Sequence, residues 1–243
     1  GHFDGMLVKA GSGLATHAIA SSKGIPGSIA QTTVVAPLDD EESVNAIFKQ
    51  YGDKIAAVII EPMPANNGLL LQRKEFLQHL RDITAKHGSL LIFDEVISGF
   101  RLHFGTYWQK IGIEPDIFTL GKIIGGGMPV GALVGKAEIM DQLSPLGSVY
   151  QAGTLSGNPV SLAAGKATLE ILKDENPYEQ MEDLGRYFID KLENSKFPYA
   201  RAIQSGSIIW LYLDETPFPR KADEISGKAM ERFTGMYWDL LHK

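Results

Sequence analysis

The chain has 243 residues, 44% of them hydrophobic and 21% charged, with a formal net charge of -6 and no cysteine. That composition excludes disulfides and thiolate metal sites, and it argues against nucleic acid or an anionic membrane surface as partner. No apolar run approaches the roughly 18 residues of a spanning helix, and the opening Gly1 to Gly5 has the character of neither a signal nor a transit peptide. The expected location is therefore cytoplasmic. The chain lacks an initial methionine and stops inside an amphipathic pattern at Lys243, so it reads as an internal piece of a longer protein.

Residues 6–10 are a short strand candidate. Residues 11–27 are rich in glycine and small hydroxyls and lack any apolar period, the texture of a lid or of a plain surface loop. Gly11, Gly13 and Thr16 approach a dinucleotide fingerprint, but the third glycine is missing and no clean helix follows. Residues 32–36 read as a strand. Asp39, Asp40, Glu41 and Glu42 open a helix through Tyr51, because acids favour a helix N-terminus. Residues 55–60 form a nearly all-apolar strand that ends at Glu61-Pro62. Phe76, Leu77, Leu80, Ile83 and Thr84 fall on one helical face, and Gly88 ends that helix. A second apolar run follows from Ser89 and ends in two carboxylates, Asp94 and Glu95. Together these segments read β-α-β-α-β, the pattern of a parallel sheet with crossover helices.

A short helix at 107–111 leads to the apolar strand 117–120, which stops at Gly121 and is followed at once by Lys122 and a Gly125-Gly126-Gly127 run. Residues 132–134 are one more strand candidate. Residues 159–172 form a long helix, with Asn158 as cap and Pro159 in its first turn. Beyond Glu175 the texture becomes more charged: an amphipathic helix at 178–192, a strand at 207–213 and a helical pattern after Ala222. The expected organisation is an α/β domain over 1–175 and part of a smaller α+β domain over 176–243.

The chemistry gathers at strand ends. A carboxylate at the carboxyl end of a buried strand lies where open α/β sheets bind ligands. Asp94 and Lys122 are 28 residues apart, enough for a crossover that returns both to one sheet edge. A lysine among apolar neighbours is hard to solvate, and desolvation favours the neutral amine that attacks a carbonyl. The alternative is that Lys122 snorkels to solvent. An acid to hold a pyridinium nitrogen and a lysine to hold an aldehyde are the two protein groups that a pyridoxal phosphate site needs. Residues 150–159 are glycine- and hydroxyl-rich and enter a helix; they suit either phosphate binding or an ordinary cap. The stretch 61–68 is either a plain turn or a polar wall of the same crevice. No phosphate loop, no metal-spaced pair among the six histidines and no serine elbow is present, so no metal site is expected.

Three motifs in this order and spacing resemble the class III, fold type I pyridoxal phosphate-dependent aminotransferase family: Asp94-Glu95-Val96 with Gly99-Phe100-Arg101, Thr119-Leu120-Gly121-Lys122 with the three glycines, and Gly153-Thr154 with Gly157-Asn158-Pro159. The opening Gly1-His2-Phe3-Asp4-Gly5, the 150–159 string and the Glu61-Pro62 stretch with Asn66 and Gly68 are most similar to the branch that isomerises glutamate-1-semialdehyde to 5-aminolevulinate.

The resemblance implies a mostly parallel central sheet flanked by helices, and an enzyme that uses pyridoxal 5'-phosphate cycling with pyridoxamine 5'-phosphate. By that implication Lys122 carries the cofactor and relays protons, Asp94 holds the pyridinium N–H, Val96 packs on the ring and Asn66 lies near its phenolic oxygen. Gly153 and Thr154 reach the phosphate of the other subunit of a homodimer, and the loop around Ser12 is a lid. Glutamate-using relatives carry a glutamate where this chain has Asn66, which favours the aminomutase. The alternatives are an ω-aminotransferase with another amino donor and an inactive cofactor-fold module. The family's phosphate cup and its ring-stacking aromatic fall before Gly1.

Overall fold

The structure is a computed structural model that describes residues 3–9, 19–195 and 199–242. In chain order, Val8–Lys9 (β1) pairs antiparallel with Ile19–Ala20 (β2), and Gly27–Ala30 (α1) and Glu41–Tyr51 (α2) follow. Next come Ala57–Ile60 (β3), Lys74–His87 (α3), Leu90–Asp94 (β4), Tyr107–Ile111 (α4), Ile117–Leu120 (β5) and Ala132–Gly135 (β6). The rest is Ala137–Met140 (α5), Pro159–Glu175 (α6), Tyr178–Glu193 (α7), Arg201–Ser205 (β7), Ile208–Tyr212 (β8) and Gly227–Leu241 (α8). The fold is α/β, with a mostly parallel central sheet flanked by helices. Its order is β3-β4-β5-β6, with β4 and β5 parallel and β6 antiparallel to β5.

Two compact units divide the chain. The first holds the described residues up to Val58 together with 73–91. Its core is one face of α2 (Val44, Ile47, Phe48) and one of α3 (Phe76, Leu77, Leu80, Ile83), all buried. The spacings i, i+3, i+4 put these side chains on one stripe of each helix. Asp40 caps α2 by accepting the Ser43 N–H at 2.9 Å, and the Arg73 guanidinium spans Asp39 and Glu41 at 2.7 Å each, fixing the α2 entry. Gly88 closes α3 in the left-handed region, φ 69.

One expectation fails in this unit. Residues 32–36 form a turn and an isolated bridge instead of a strand. The reason is local. The amides of Thr32 and Thr33 close onto the carbonyls of Ile29 and Ala30, extending the short helix α1 that the sequence pattern did not show. The Thr32 hydroxyl adds a bond to Ile29 O at 2.7 Å, so these donors are not free for a ladder.

The second unit holds 59–72 and 92–242. Here α6 packs on the turn after β5, and β7 and β8 form an antiparallel hairpin against which α7 packs. The sequence showed β8 but not β7, whose Arg201 and Gln204 blunt its apolar signal. The Gly206-Ser207 dipeptide between the two, with Gly206 at φ 54, is the hairpin cue that the pattern carried.

Candidate active site

The two carboxylates that end the β4 run have different surroundings. Asp94 is half-buried, and its Oδ1 accepts the Val96 N–H at 3.0 Å and the Thr119 hydroxyl at 3.2 Å. Thr119 is its register partner across the β4/β5 ladder, so the parallel pairing itself orients this carboxylate. Glu95 is fully buried and points the other way along the pleat. Its carboxylate accepts the Trp108 N–H at 2.9 Å, the Tyr107 N–H and the Ser98 hydroxyl at 3.2 Å. Those two amides open α4, where the first turn has no intrahelical partners. Burial pushes the Glu95 carboxyl up from its ordinary value, opposed by the bonds from Trp108, Tyr107 and Ser98. Glu95 is thus the clamp that holds α4, and Asp94 is the carboxylate left for chemistry.

Lys122 stands two residues past β5, first in a 3-10 turn over Lys122–Gly125. Its φ of 46 is the left-handed region, uncommon for a side-chain-bearing residue and found at sites whose surroundings hold it there. The surroundings here are α6. A Cβ on Gly126, φ 56, would meet the Ala164 carbonyl carbon at 2.9 Å, and Gly165 passes the Ile124 carbonyl too closely for any side chain. The glycines after Lys122 therefore serve a tight seat of the turn on α6. The expectation that apolar neighbours strip water from Lys122 needs correction: Gly121 and Ile124 take the buried positions and Lys122 is exposed. Val96 packs over Gly121, with its Cγ1 3.2 Å from where a Cβ would stand.

Glu61 completes this edge. It follows β3 directly, is half-buried, and accepts the Ala65 N–H. Its carboxyl is pushed up by burial and then by the charge of Asp94, and is pulled down by Ala65 and by the charge of Lys122. Three successive strands of the sheet thus deliver Glu61, Asp94 and Lys122 to one edge. Asn66, one residue past Ala65, is exposed and lines a groove of about 670 Å³ with Trp210 of β8 and Met230 and Phe233 of α8. Gly68, φ 105, lies 2.7 Å (as a virtual Cβ) from the Trp210 ring, so only glycine fits that wall.

Gly153 and Thr154 are exposed and make no hydrogen bond to Glu61, Asp94 or Lys122 among the described residues. The adjoining α6 N-terminus is capped by its own chain: Asn158 Oδ1 accepts from Val160 at 3.0 Å and Ser161 at 3.2 Å. Those two amides fit the ordinary cap, which leaves the exposed backbone of Gly153 and Thr154 as the accessible part of the segment. Ser12 lies outside the described residues. Among the described residues no group of three or more His, Cys, Asp or Glu is arranged to hold a metal ion. Sequence reasoning missed the division of work between Asp94 and Glu95 and gave Glu61 no specific role; the signal for Glu61 was the same as for Asp94, a carboxylate directly after a buried strand.

Residues 7–208 match the Aminotransferase class-III family. The chain is 49% identical over 220 residues to the glutamate-1-semialdehyde 2,1-aminomutase of Sulfurihydrogenibium azorense, covering 89% of this chain and 52% of that one. It is 47% identical over 246 residues to the enzyme of the same name from Bdellovibrio bacteriovorus, covering 100% and 58%. Among solved structures it resembles an omega-transaminase from Sphaerobacter thermophilus, with TM-score 0.82 and 31% identity over 94% of this chain and 55% of that one. It also resembles a glutamate-1-semialdehyde-aminomutase (K286A) from Pseudomonas aeruginosa in complex with PMP, with TM-score 0.74 and 26% identity over 91% and 51%. The chain spans about half the length of the curated relatives it matches. With its sheet-edge carboxylates and lysine set in the matched segment, the chain belongs to the class-III aminotransferase family.

Proposed function

We propose that the protein to which this chain belongs isomerises glutamate-1-semialdehyde to 5-aminolevulinate by intramolecular amino transfer, with pyridoxal 5'-phosphate cycling with its pyridoxamine form. The observation that carries this reading is the pairing of Asp94, held by Val96 N–H and the Thr119 hydroxyl, with Lys122 at the end of the neighbouring strand. The relatives named above, at 49% and 47% identity, give the reaction. The residues present fit the cofactor chemically: an oriented carboxylate for a ring nitrogen, an exposed amine for an aldehyde carbon, an apolar face at Val96, and exposed backbone at Gly153 and Thr154 for a phosphate. When bound, the cofactor supplies an electron sink for bonds at the amino-bearing carbon.

The work of the chain is then positioning and proton handling. Asp94 keeps a proton on the ring nitrogen. Lys122 would hold the cofactor, and its amine would serve as the base and acid that moves protons at the substrate. Its exposure gives that amine room to leave and return. Val96 would offer an apolar face to the ring. Asn66 serves the phenolic oxygen side. Because the nitrogen moves within one substrate, no second amino donor enters and no carboxylate switch is needed at position 66.

The same reading makes the enzyme a cytoplasmic homodimer in which Gly153 and Thr154 serve the cofactor phosphate of the partner subunit. Residues 1–175 belong to the large cofactor-binding domain and 176–243 to the small domain, and the loop around Ser12 closes over the substrate so that a half-converted molecule is not lost. No described helix is long and apolar enough to cross a membrane. A second reading, an ω-aminotransferase, draws on the structural likeness to the Sphaerobacter thermophilus enzyme. Asn66 and the higher sequence identity to the aminomutases favour the first.

The experiment is borohydride reduction of the cofactor-loaded full-length protein followed by peptide mapping. The reading expects the cofactor fixed on Lys122. A label on Lys136 or Lys166 overturns it.

A further inference from the structure

The loop between β4 and α4 is held from a distant part of the chain. After Asp94 the backbone enters a turn over 95–99, closed by the Gly99 N–H donating to the Glu95 carbonyl at 2.8 Å. That turn touches both halves of the site. Its Val96 N–H is one of the two donors on Asp94 Oδ1. Its Gly99 is buried so closely against the Leu120 side chain that no Cβ fits, and its Val96 covers Gly121. Leu120 and Gly121 are the two residues directly ahead of Lys122.

Just past the turn, two consecutive carbonyls accept side-chain hydroxyls. The Tyr178 hydroxyl, at the start of α7, donates to the Phe100 carbonyl at 3.1 Å. The Ser207 hydroxyl, between β7 and β8, donates to the Arg101 carbonyl at 2.9 Å. The partners lie 78 and 106 residues apart, so neither bond belongs to a local turn. Phe100 needs such a hold. Its φ of 56 is the left-handed region, which a side-chain-bearing residue keeps only where its surroundings fix it. Its N–H donates to the Gly105 carbonyl at 2.7 Å, and its ring meets Phe104 edge-on. Leu102, the residue after Arg101, is buried with Met63 and Leu69, and Ile203 and Ile208 of the hairpin pack against that cluster.

We infer that Tyr178 and Ser207 are positioning residues of this site: by holding the Phe100 and Arg101 carbonyls they fix the turn that orients Asp94 and bears on Leu120 and Gly121 ahead of Lys122. The catalytic meaning rests on the function proposed above, but the mechanical link is a property of the protein alone. The path is short and made of direct contacts. The hydroxyls set the backbone at 100 and 101, which sets Gly99 against Leu120 and Val96 against Gly121. Without them Phe100 has less to keep it left-handed. Its relaxation shifts the turn that supplies the Val96 N–H to Asp94.

The experiment uses the full-length protein with Tyr178→Phe and Ser207→Ala, single and combined. Hydrogen exchange without cofactor is read by mass spectrometry over 95–101, over 119–125 and, as reference, over α3. Loss of one hydrogen bond of ordinary net worth should speed exchange over 95–101 about fivefold, and the double variant should exchange faster still. Exchange over 119–125 should rise with it, because the turn bears on that segment, while α3 should not change. Ser207→Thr keeps a hydroxyl and should exchange within about twofold of wild type over both segments. In the cofactor-loaded double variant, the circular dichroism of the cofactor band should weaken, and kcat should fall about tenfold with KM nearly unchanged.

Faster exchange confined to 95–101, or spread equally over α3, overturns the inference: the hydroxyls are then local fastenings or general stabilisers. Unchanged exchange overturns it too. If the double variant folds poorly, Tyr178→Phe alone, which removes a single oxygen, carries the same test. Each of these failures leaves the borohydride result untouched. A mislocated borohydride label overturns the function and leaves the exchange result standing.

Discussion

Glu95→Ala tests whether adjacent carboxylates at the end of β4 do separate jobs. The side chain is wholly buried, and its carboxylate is the partner of the first two amides of α4 and of the Ser98 hydroxyl. Truncation leaves the Tyr107 and Trp108 N–H groups without an acceptor. At about 1–3 kcal/mol for each buried donor left unpaired, the two backbone groups cost about 2–6 kcal/mol. The Ser98 hydroxyl adds little, since it rotates to another acceptor. Relief of the buried charge works the other way, because burial already pushes the Glu95 carboxyl up. The net expectation is a loss of about 3–4 kcal/mol, a fall of roughly 6–16 °C in the unfolding midpoint at about 2–4 °C per kcal/mol.

The assay is thermal and urea unfolding followed by circular dichroism. The pH dependence adds a second check. A raised folded-state value means the wild type carries its ionisation penalty only above the unfolded value of 4.5, so the gap to Glu95→Ala should narrow as pH rises. A loss below about 1 kcal/mol, the size of an ordinary surface change, refutes the clamp. So does a gap that widens with pH.

The neighbouring carboxylate should respond in the opposite way. Asp94→Asn is nearly isosteric and keeps an acceptor for Val96 and Thr119, so its unfolding midpoint should stay within about 2 °C of wild type, while turnover of the full-length enzyme falls by roughly 10²-fold; turnover within a few-fold of wild type makes Asp94 structural. Gly126→Ala adds a side chain at φ 56 that would meet the Ala164 backbone, whereas Gly127→Ala at φ 88 has nothing within 4 Å. Both strain the backbone, but Gly126→Ala should cost about 1–3 kcal/mol more in urea unfolding, the penalty of overpacking; equal costs would show that α6 does not seat the lysine turn.

The sheet was legible because its strands are short apolar runs with a charged or glycine stop, and the stops are the site. Glu61, Asp94 and the Gly121-Lys122 pair each mark the point where a buried strand meets the crevice edge. The helices were legible for the same reason in another period: the α2 and α3 stripes needed only spacing, and Asp40, Asn158 and Gly88 announced the ends. What failed were segments decided by single hydrogen bonds. Thr32 and Thr33 are good strand formers, yet their amides close a helix end, and no pattern of hydrophobicity records that. β7 was hidden because its half-exposed strand carries Arg201 on one face and Gln204 on the other, where Gln204 donates to the Glu182 carbonyl of α7.

The same distinction explains why the site was read in outline but not in its electrostatics. Composition said that Lys122 follows an apolar strand; it could not say that φ 46 lifts the side chain out while Ile124 turns in. Nor could it separate Asp94 from Glu95, which differ by one residue in sequence and by a full reversal of the pleat in space. That reversal sends one carboxylate to Thr119 at the sheet edge and the other to the α4 amides in the core. A strand-ending acid pair therefore supplies a reactive group and its scaffold from adjacent positions. The third strand end, Glu61, is half-buried like Asp94 and accepts the Ala65 N–H, the amide before Asn66. Reading such an edge means asking of each carboxylate which donors reach it. Two donors, one backbone and one side-chain, orient Asp94, three hold Glu95 in the core, and the Ala65 N–H reaches Glu61.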